Sequence, residues 1–366
     1  MSRTHVPVED VAVSAYTIPT DEPESDGTLA WDSTTMVLVE LTAGGCTGLG
    51  YTYGDPACAT LIRDKLAAIV RGRNAMAQRE CWLKMVEAIR NLGRPGICSM
   101  AIAAVDIALW DLKARLLKVP LVTLLGALRE SVPIYGSGGF TSCSLDRLRE
   151  QLGGWVAADI PRVKMKIGRH PDQDPERIRE ARDAIGPDAE LYVDANGAYT
   201  RKQALAMAER EFVTHGVSWY EEPVSSDDPE GLKLLRDRCP GGIEISTGEY
   251  GYDLPYFRHL LEGQRVDVLQ ADATRCGGIT GFLDVAALCD AWNIPLSSHT
   301  APAVHLHPGC CAKQVRHLEY FHDHARIESM LFEDNIGPVE GRLRPNLARP
   351  GLGLTLRREE AERYRI

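Results

Sequence analysis

The sequence predicts an α/β fold in which a (β/α)8-type barrel follows an amino-terminal α+β capping domain. From residue 132 onwards, eight short apolar segments alternate with amphipathic helical segments over about 190 residues. Before residue 132, strand-like segments come first and helical segments follow. We therefore expect three parts: a capping domain at 1–125, a catalytic barrel at 126–325, and a segment at 326–366 that packs back on the capping domain.

The capping domain begins with strand-like sequence. Three segments are rich in β-branched and apolar residues: 6–18, 34–41 and 46–53. Gly44-Gly45 marks a tight turn, whereas the polar segment from Thr20 to Gly27 predicts a loop. Helical periodicity follows in three further segments: 57–70, 78–90 and 99–117. The pattern predicts a small antiparallel meander with helices packed on it.

The barrel prediction rests on eight strand candidates: 132–137, 163–167, 190–194, 217–221, 243–247, 266–271, 294–298 and 317–320. The segments between them have the length and periodicity of helices, as in Asp174–Ile185 and Lys202–His215. Beyond about residue 325 the chain is punctuated by proline and glycine, which favours an irregular tail.

Composition narrows the classes of partner. The net charge is -10 and no segment is rich in lysine and arginine, so we expect neither nucleic acid nor an anionic membrane surface as a partner. The sequence contains no long apolar run and its amino terminus has no secretory signal, so the expected location is the cytoplasm. The 10 cysteines are irregularly spaced without a C-x-x-C pair, which favours reduced thiols over a disulfide frame or a zinc site.

Two lysines mark the second barrel strand. In Val163-Lys164-Met165-Lys166, the period of two places both amines on one face of the strand. Two cations at this spacing repel each other, so the pKa of at least one is expected to be lowered, which makes that amine a base near neutral pH.

Carboxylates end the next three strands. Asp194, Glu221 and Glu249 follow one another at steps of 27 and 28 residues, one in each βα unit. Because the carboxyl ends of barrel strands meet at one face, these side chains are expected to converge. Converging carboxylates need a cation, and an all-oxygen set suits Mg²⁺.

The last three strands end in an acid, an imidazole and a second acid: Asp272, His299 and Glu319. Asp272 and His299 lie at the tips of neighbouring strands, so the carboxylate can hold the imidazole and fix its tautomer. The lysine pair then faces a His-Asp dyad across the barrel mouth, which is a bifunctional acid/base arrangement around a metal.

In this ordered set the sequence resembles the mandelate racemase subgroup of the enolase superfamily. The motifs are Lys164-x-Lys166, Asp194-x-Asn196, Glu221-Glu222-Pro223, Gly248-Glu249, Asp272 and His299. The resemblance implies that Asp194, Glu221 and Glu249 bind Mg²⁺, that Lys166 and His299 are the acid/base groups, and that Asp272 is the partner of His299. It further implies that Lys164 and Glu319 contact the substrate carboxylate, and that the protein is a homo-oligomer.

The resemblance implies abstraction of a proton α to a carboxylate to give a metal-stabilised enediolate. Mg²⁺, Lys164 and a protonated Glu319 are expected to stabilise its charge, with Glu319 kept protonated by the substrate carboxylate nearby. Loss of a β-hydroxyl then makes the enzyme an acid-sugar dehydratase, a lyase. Return of the proton to the other face makes it a racemase or epimerase of a 2-hydroxy or 2-amino acid, and a barrel that binds sugar acids without turnover is the alternative of another class.

Several features leave the substrate open. Muconate-type cycloisomerases use a lysine where this chain has Asp272, which disfavours that reaction. The acidic segment from Asp21 to Asp26 has acceptors for the hydroxyls of a polyol, for an ammonium group, or for solvent alone. Arg275 can meet a second substrate carboxylate or form a structural ion pair. His305 and His307 either line the pocket rim or serve a non-catalytic role in the loop after the seventh strand.

Overall fold

The computed structural model describes residues 5–335 and 337–366. Its first sheet contains three antiparallel strands in the order β1-β2-β3, with bounds Asp10–Ser25, Ala30–Ala43 and Cys46–Tyr53. Gly44 and Gly45 have φ angles of 54° and 72° and form the turn between β2 and β3. Glycine adopts these angles without the steric cost that a Cβ brings.

The predicted loop at residues 20–27 is largely a strand. β1 continues through Ser25, which pairs with Ala30, after a register shift between Pro19 and Glu24. Pro19 has no amide hydrogen, so the ladder is interrupted there and resumes beyond it. The polar side chains of this segment are exposed at Asp21 and Glu22 and buried at Glu24, Ser25 and Asp26.

The helices of the capping domain follow the predicted periodicity to within a few residues. Their bounds are α1 Ala57–Leu61, a π-helical turn Ile62–Leu66, α2 Ala67–Val70, a 3-10 turn Ala75–Ala77, α3 Gln78–Ala88, α4 Ile97–Leu117 and α5 Leu121–Leu125. α4 is apolar around most of its circumference and is buried along most of its length. It packs on β2 and β3 on one side and on barrel helix α12 (Gly278–Trp292) on another, which explains its composition.

The second domain is a closed barrel of eight parallel strands, as predicted. The strands run in sequence order from β4 to β11, and β11 pairs with β4 to close the barrel. Their bounds are β4 Val132–Gly138, β5 Arg162–Lys166, β6 Glu190–Asp194, β7 Val217–Glu221, β8 Glu244–Thr247, β9 Val268–Ala271, β10 Leu296–Ser298 and β11 Val315–Phe321.

Helices connect the barrel strands and cover their outer face. In addition to α12, they are α6 Leu145–Ala157, α7 Asp174–Ile185, α8 Arg201–Met207, a π-helical turn Ala208–Phe212, α9 Val213–His215, α10 Pro229–Arg238, α11 Leu254–Glu262, α13 Pro302–Cys311 and α14 His322–Leu331. Apolar side chains of these helices and of the outward strand faces form one continuous core.

An aromatic layer fills the barrel interior. Tyr135, Tyr192 and Trp219 are buried there, with ring centroids 5.2 Å apart for Tyr192 and Trp219 and 5.5 Å apart for Tyr135 and Tyr192. The amine of Lys164 lies 5.3 Å from the centroid of the Tyr135 ring. The layer therefore closes the barrel beneath the lysines and leaves the carboxyl end of the strands as the place for a site.

The chain beyond α14 contacts both domains. It contains β12 Phe332–Glu333, β13 Arg342–Leu343, β14 Thr355–Leu356 and α15 Arg358–Glu362. β13 adds antiparallel to β4 of the barrel. Toward the capping domain, Leu352 N donates to Asp111 Oδ1 at 2.7 Å, and Thr17 N donates to Tyr364 O at 2.8 Å. No helix among the described residues is both long enough and apolar enough to cross a membrane.

Candidate active site at the carboxyl ends of the barrel strands

The ends of β5, β6 and β7 stand in register. Lys166 pairs with Asp194, and Asp194 pairs with Glu221. Lys164 precedes Lys166 by two residues, and both side chains point into the barrel, where Lys164 is fully buried and Lys166 is 6% exposed. The structure thus brings these four predicted residues together.

Three of the predicted carboxylates form a group that fits a divalent cation. One oxygen from each of Asp194, Glu221 and Glu249 lies within 4.8 Å of the other two. All three side chains are buried, and Glu249 Oε2 is a buried oxygen without a hydrogen-bond partner among the described residues. Burial raises the pKa of Glu221 well above its ordinary value, and the charge of Asp194 raises it further. Three buried carboxyl groups with one unpaired oxygen suit Mg²⁺, whose charge would favour their ionised forms.

Neighbouring donors orient two of these carboxylates. Asn196 N donates to Asp194 Oδ1 at 2.9 Å, and Trp219 Nε1 donates to Glu221 Oε2 at 3.0 Å. Each bond fixes one oxygen of its carboxylate, while the other oxygens, Asp194 Oδ2 and Glu221 Oε1, lie 2.5 and 2.6 Å from Lys166 Nζ and Lys164 Nζ.

The expectation that the pKa of at least one lysine is lowered overall does not hold in this structure, although Lys164 does act on Lys166 in the expected direction. Burial and Lys164 lower the pKa of Lys166, but Asp194, whose Oδ2 lies 2.5 Å from Lys166 Nζ, raises it above its ordinary value. The pKa of Lys164 is also raised. Burial lowers it, but the charges of Glu221 and Glu319, whose oxygens lie 2.6 and 2.8 Å from Lys164 Nζ, outweigh burial. A cation that compensates the charge of Asp194 would bring the pKa of Lys166 down.

His299 and Asp272 form a hydrogen-bonded pair on the far side of the barrel. His299 Nδ1 donates to Asp272 Oδ2 at 2.8 Å, and His299 Nε2 lies 3.4 Å from Glu249 Oε2. Burial raises the pKa of Asp272, but the hydrogen bond and charge of His299 outweigh burial and hold it below its ordinary value. The ionised carboxylate keeps the proton on Nδ1 and leaves Nε2 toward the carboxylate group.

The surroundings of Glu319 favour its ionised form, whereas the protonated acid is expected beside a substrate carboxylate. Its Oε1 accepts from Lys164 Nζ at 2.8 Å and from Ser137 Oγ at 2.6 Å, and its Oε2 accepts from Thr300 N at 2.7 Å. Burial raises the pKa of Glu319, but the charge of Lys164 outweighs burial and holds it below its ordinary value. The expectation depends on an anionic neighbour, and Lys164 is a cationic one.

Sequence reasoning did not single out Ser137 or Thr300. Besides its bond to Glu319, Thr300 places its hydroxyl 3.3 Å from Asp272 Oδ2. The available signals were positional, because Ser137 lies near the end of the first barrel strand and Thr300 directly follows His299. Hydroxyl residues are common at strand ends, so only the distances separate these two from others.

His305 and His307 are buried in α13, where they form hydrogen bonds with backbone groups and do not line the pocket rim. His305 Nε2 accepts from Ala273 N at 2.8 Å, and its Nδ1 lies 3.0 Å from the carbonyl oxygen of Thr300. His307 Nδ1 accepts from Val122 N at 3.1 Å. A ring nitrogen of each imidazole accepts a backbone hydrogen bond, which requires the neutral form, and burial lowers the pKa of both, that of His307 to about 4.

Arg275 lies next to two carboxylates of the barrel, those of Glu249 and Asp272. Its Nη1 donates to the carbonyl oxygen of Glu249 at 3.1 Å and lies 3.6 Å from Glu249 Oε1, while its Nε lies 3.6 Å from Asp272 Oδ2. The guanidinium also covers the ring of Tyr250, 5.5 Å from its centroid. Arg275 thus forms ion pairs within the site.

The acidic segment divides into two parts. Asp21 and Glu22 are exposed, and Asp21 Oδ2 lies 2.9 Å from His322 Nε2. Glu24 is buried and accepts from Trp31 Nε1 at 2.8 Å, and burial raises its pKa to about 8. Asp26 lines the cavity between the domains, and its Oδ1 accepts from the amide of Leu29 at 2.7 Å.

A cavity of about 580 Å³ lies between the capping domain and the barrel. The barrel side of its lining includes Lys166, His299 and Glu319. The capping-domain side includes Trp31 and Tyr53. The acid/base groups and Glu249 therefore face one volume of the size that small-molecule sites have.

Known relatives share this architecture. The chain is 32% identical to a 3,6-anhydro-alpha-L-galactonate cycloisomerase from Streptomyces coelicolor, over 87% of this chain and 88% of the relative. It is 31% identical to an L-talarate/galactarate dehydratase from Salmonella typhimurium, over 98% of this chain and 90% of the relative. The predicted enzyme class, a lyase with an isomerase as the alternative, agrees with both.

Solved structures agree as well. The Salmonella dehydratase with Mg and L-lyxarohydroxamate superposes with a TM-score of 0.90 at 29% identity, covering 100% of this chain and 94% of that one. A mandelate racemase/muconate lactonizing enzyme-like protein from Rubrobacter xylanophilus superposes with a TM-score of 0.97 at 58% identity, covering 98% and 100% of the two chains. The magnesium in the dehydratase confirms the predicted cofactor.

Two family models account for most of the chain. The mandelate racemase / muconate lactonizing enzyme N-terminal domain matches residues 11–126, and the enolase C-terminal domain-like model matches residues 147–361. These matches agree with the cap, the barrel and the ordered set of strand-end residues. The chain belongs to the mandelate racemase/muconate lactonizing enzyme family of the enolase superfamily.

Proposed function

We propose that this protein is an Mg²⁺-dependent acid-sugar dehydratase, which removes the proton α to a carboxylate and then eliminates a β-hydroxyl as water. One observation carries the proposal. Lys166 and the His299–Asp272 pair flank the carboxylate group from opposite sides, with Lys166 Nζ 2.5 Å from Asp194 Oδ2 and His299 Nε2 3.4 Å from Glu249 Oε2. A substrate carboxylate at that group has a base on one face and an acid on the other.

The roles follow from the position of each group. Asp194, Glu221 and Glu249 hold Mg²⁺, which when bound supplies a Lewis acid for the charge that develops on the substrate carboxylate. Lys166 Nζ removes the α-proton. Lys164 contacts the same carboxylate, and its full burial makes its charge effective because water does not screen it.

Glu319 lies 2.8 Å from Lys164 and completes this contact when it gains a proton. An approaching substrate carboxylate is a second anion beside Glu319, which favours the protonated form. Ser137 and Thr300 hold the two oxygens in place, so that the acid is oriented before the substrate arrives.

His299 gives the departing β-hydroxyl a proton from Nε2, while Asp272 stabilises the imidazolium through Nδ1. The same two groups support a second candidate, a racemase or epimerase, because His299 can instead deliver a proton to the α-carbon on the face opposite Lys166. Dehydration is preferred because the Salmonella relative is named a dehydratase and superposes over the whole chain. A barrel that binds without turnover leaves the acid/base pairs without a role.

We further propose that the enzyme works in the cytoplasm as a homo-oligomer, with loops of the capping domain at residues 1–125 selecting the substrate of the barrel at 126–325. The 10 free cysteines support a reducing compartment. Family resemblance supports the oligomer.

The test is an incubation of acid sugars with the enzyme and Mg²⁺ in D₂O, followed by nuclear magnetic resonance. A 2-keto-3-deoxy product supports the dehydratase, deuterium at an inverted α-carbon supports the epimerase, and the absence of both products and exchange supports binding alone. Lys166→Ala should abolish abstraction of one α-epimer, whereas Lys313→Ala, at an exposed ion pair with Asp290, should not. Activity that survives in Lys166→Ala, or after chelation of the metal, contradicts the assignment.

A further inference from the structure

We infer that the substrate is a sugar acid with a single carboxylate, whose distal end is an uncharged polyol or deoxy terminus. The inference rests on the proposed function and extends it to the other end of the substrate. Its basis is the charge of the cavity wall that the capping domain contributes.

The reacting carboxylate is held at the barrel end of the cavity. Lys166, Glu249 and His299 line it there, so the remainder of an acid sugar extends toward the capping domain. At about 580 Å³ the cavity has room for a chain of several hydroxylated carbons. The capping wall therefore meets the distal end.

That wall has hydroxyls and carboxylates but no cation. Its polar side chains include those of Ser33, Thr34 and Tyr53, together with the carboxylates of Asp26 and Asp55. Among residues 5–335 and 337–366, no lysine, arginine or histidine of the capping domain lines the cavity. The Tyr53 hydroxyl is buried without a hydrogen-bond partner among these residues, and it suits a neutral hydroxyl group.

Two basic side chains from the barrel also line the cavity, but neither offers free positive charge. Arg275 lies 3.6 Å from both Glu249 Oε1 and Asp272 Oδ2, so two carboxylates compensate it. His324 stacks on Tyr53 with ring centroids 3.5 Å apart, and burial lowers the pKa of His324 to about 3, which keeps the imidazole neutral.

A second carboxylate at the distal end would approach the buried Asp26 and the solvent-exposed Asp55 without a counter-ion on this wall, and it would lose water on the Asp26 side. Burying an unpaired charge is costly, and like charges add to that cost. A hydroxyl or methyl terminus meets neither penalty. The wall therefore rejects diacids and accepts monoacids of the same length.

The experiment compares aldonates with the aldarates that match them at the α and β carbons, using purified enzyme with Mg²⁺. We expect kcat/KM to be about a hundredfold higher for the aldonate or deoxyaldonate. A preference for the aldarate overturns the inference and leaves the dehydratase proposal intact. Failure of the enzyme to dehydrate or exchange either class overturns both.

Two variants test the wall itself. Asp55→Asn keeps an acceptor for the Ala57 amide, which now bonds Asp55 Oδ1 at 2.8 Å, and should raise kcat/KM for aldarates several-fold without a matching gain for aldonates. Ser33→Arg adds a cation and should shift the preference toward aldarates by at least tenfold, whereas Ser33→Gln, which adds an uncharged polar side chain, should not. An unchanged preference in both Asp55→Asn and Ser33→Arg contradicts the inference.

Discussion

Asp272→Asn should greatly slow elimination while leaving proton abstraction intact. The reason is that the neighbours of residue 272 dictate how the side-chain amide of the new asparagine is oriented. Oδ1 accepts from both Thr274 N and Thr274 Oγ1 at 2.7 Å, so the oxygen of asparagine must stay there. The amide nitrogen then takes the place of Oδ2, 2.8 Å from His299 Nδ1. It donates a hydrogen bond to Nδ1 and excludes the proton from that atom.

The imidazolium is therefore lost as an acid. A neutral imidazole with its proton on Nε2 is too weak an acid to protonate a departing hydroxyl near neutral pH. General acid catalysis contributes about 10²–10⁴-fold to a rate, so we expect kcat for dehydration to fall by that factor. Exchange of the α-proton at Lys166 should persist, since Lys166 lies on β5, away from this pair, whose members directly follow β9 and β10.

The assay measures product formation and deuterium exchange in the same sample, with Mg²⁺ affinity measured by calorimetry. Asp106→Asn is the matched control, because Asp106 is equally buried and accepts from Thr280 N at 2.9 Å and Thr280 Oγ1 at 2.7 Å, with no imidazole bonded to it. Both variants should lose some stability, and only Asp272→Asn should lose elimination. Dehydration within threefold of the wild type in Asp272→Asn would refute the reasoning.

Three further predictions concern the metal group, the capping segment and the packing of the cap. Glu249→Gln should weaken Mg²⁺ binding about a hundredfold or more by calorimetry, and an unchanged affinity would exclude Glu249 as a ligand. Folding raises the pKa of Glu24 from 4.5 to about 8, so the wild type loses stability as the pH rises through that window. Glu24→Gln should thus gain about 4 kcal/mol in free energy of unfolding relative to the wild type between about pH 5 and pH 9, and a pH-independent difference in urea unfolding would contradict this. Gly50→Ala should lower the free energy of unfolding by about 1–3 kcal/mol, because the added Cβ would lie 2.3 Å from Ala104 O. Gly154→Ala, whose added Cβ would have no atom within 4 Å, should be neutral or stabilising. Equal melting temperatures of the two variants would contradict this.

Local sequence determined the order of the elements and of the residues at the strand ends. The eight barrel strands were predictable because each is a short apolar run between amphipathic helices. The polar residue at the end of each strand was predictable too, because it lies next to that apolar run in the chain. The segment at 20–27 was mistaken for a loop, since its turn-rich composition does not reveal that it continues β1 past a register shift.

The sequence by itself thus determined that the lysines, the carboxylates and His299 meet at the barrel mouth, because closure of a parallel barrel brings successive strand ends to one face, whereas the contacts of Ser137 and Thr300 with Glu319 emerged only from the structure. Only the tertiary structure decided their charge states. The distance between the two lysines can be inferred from their spacing, but those from Lys166 to Asp194 and from Lys164 to Glu319 depend on strand register and barrel closure. Since electrostatic interactions vary with distance and burial, these contacts reversed the direction expected for the lysine pKa values.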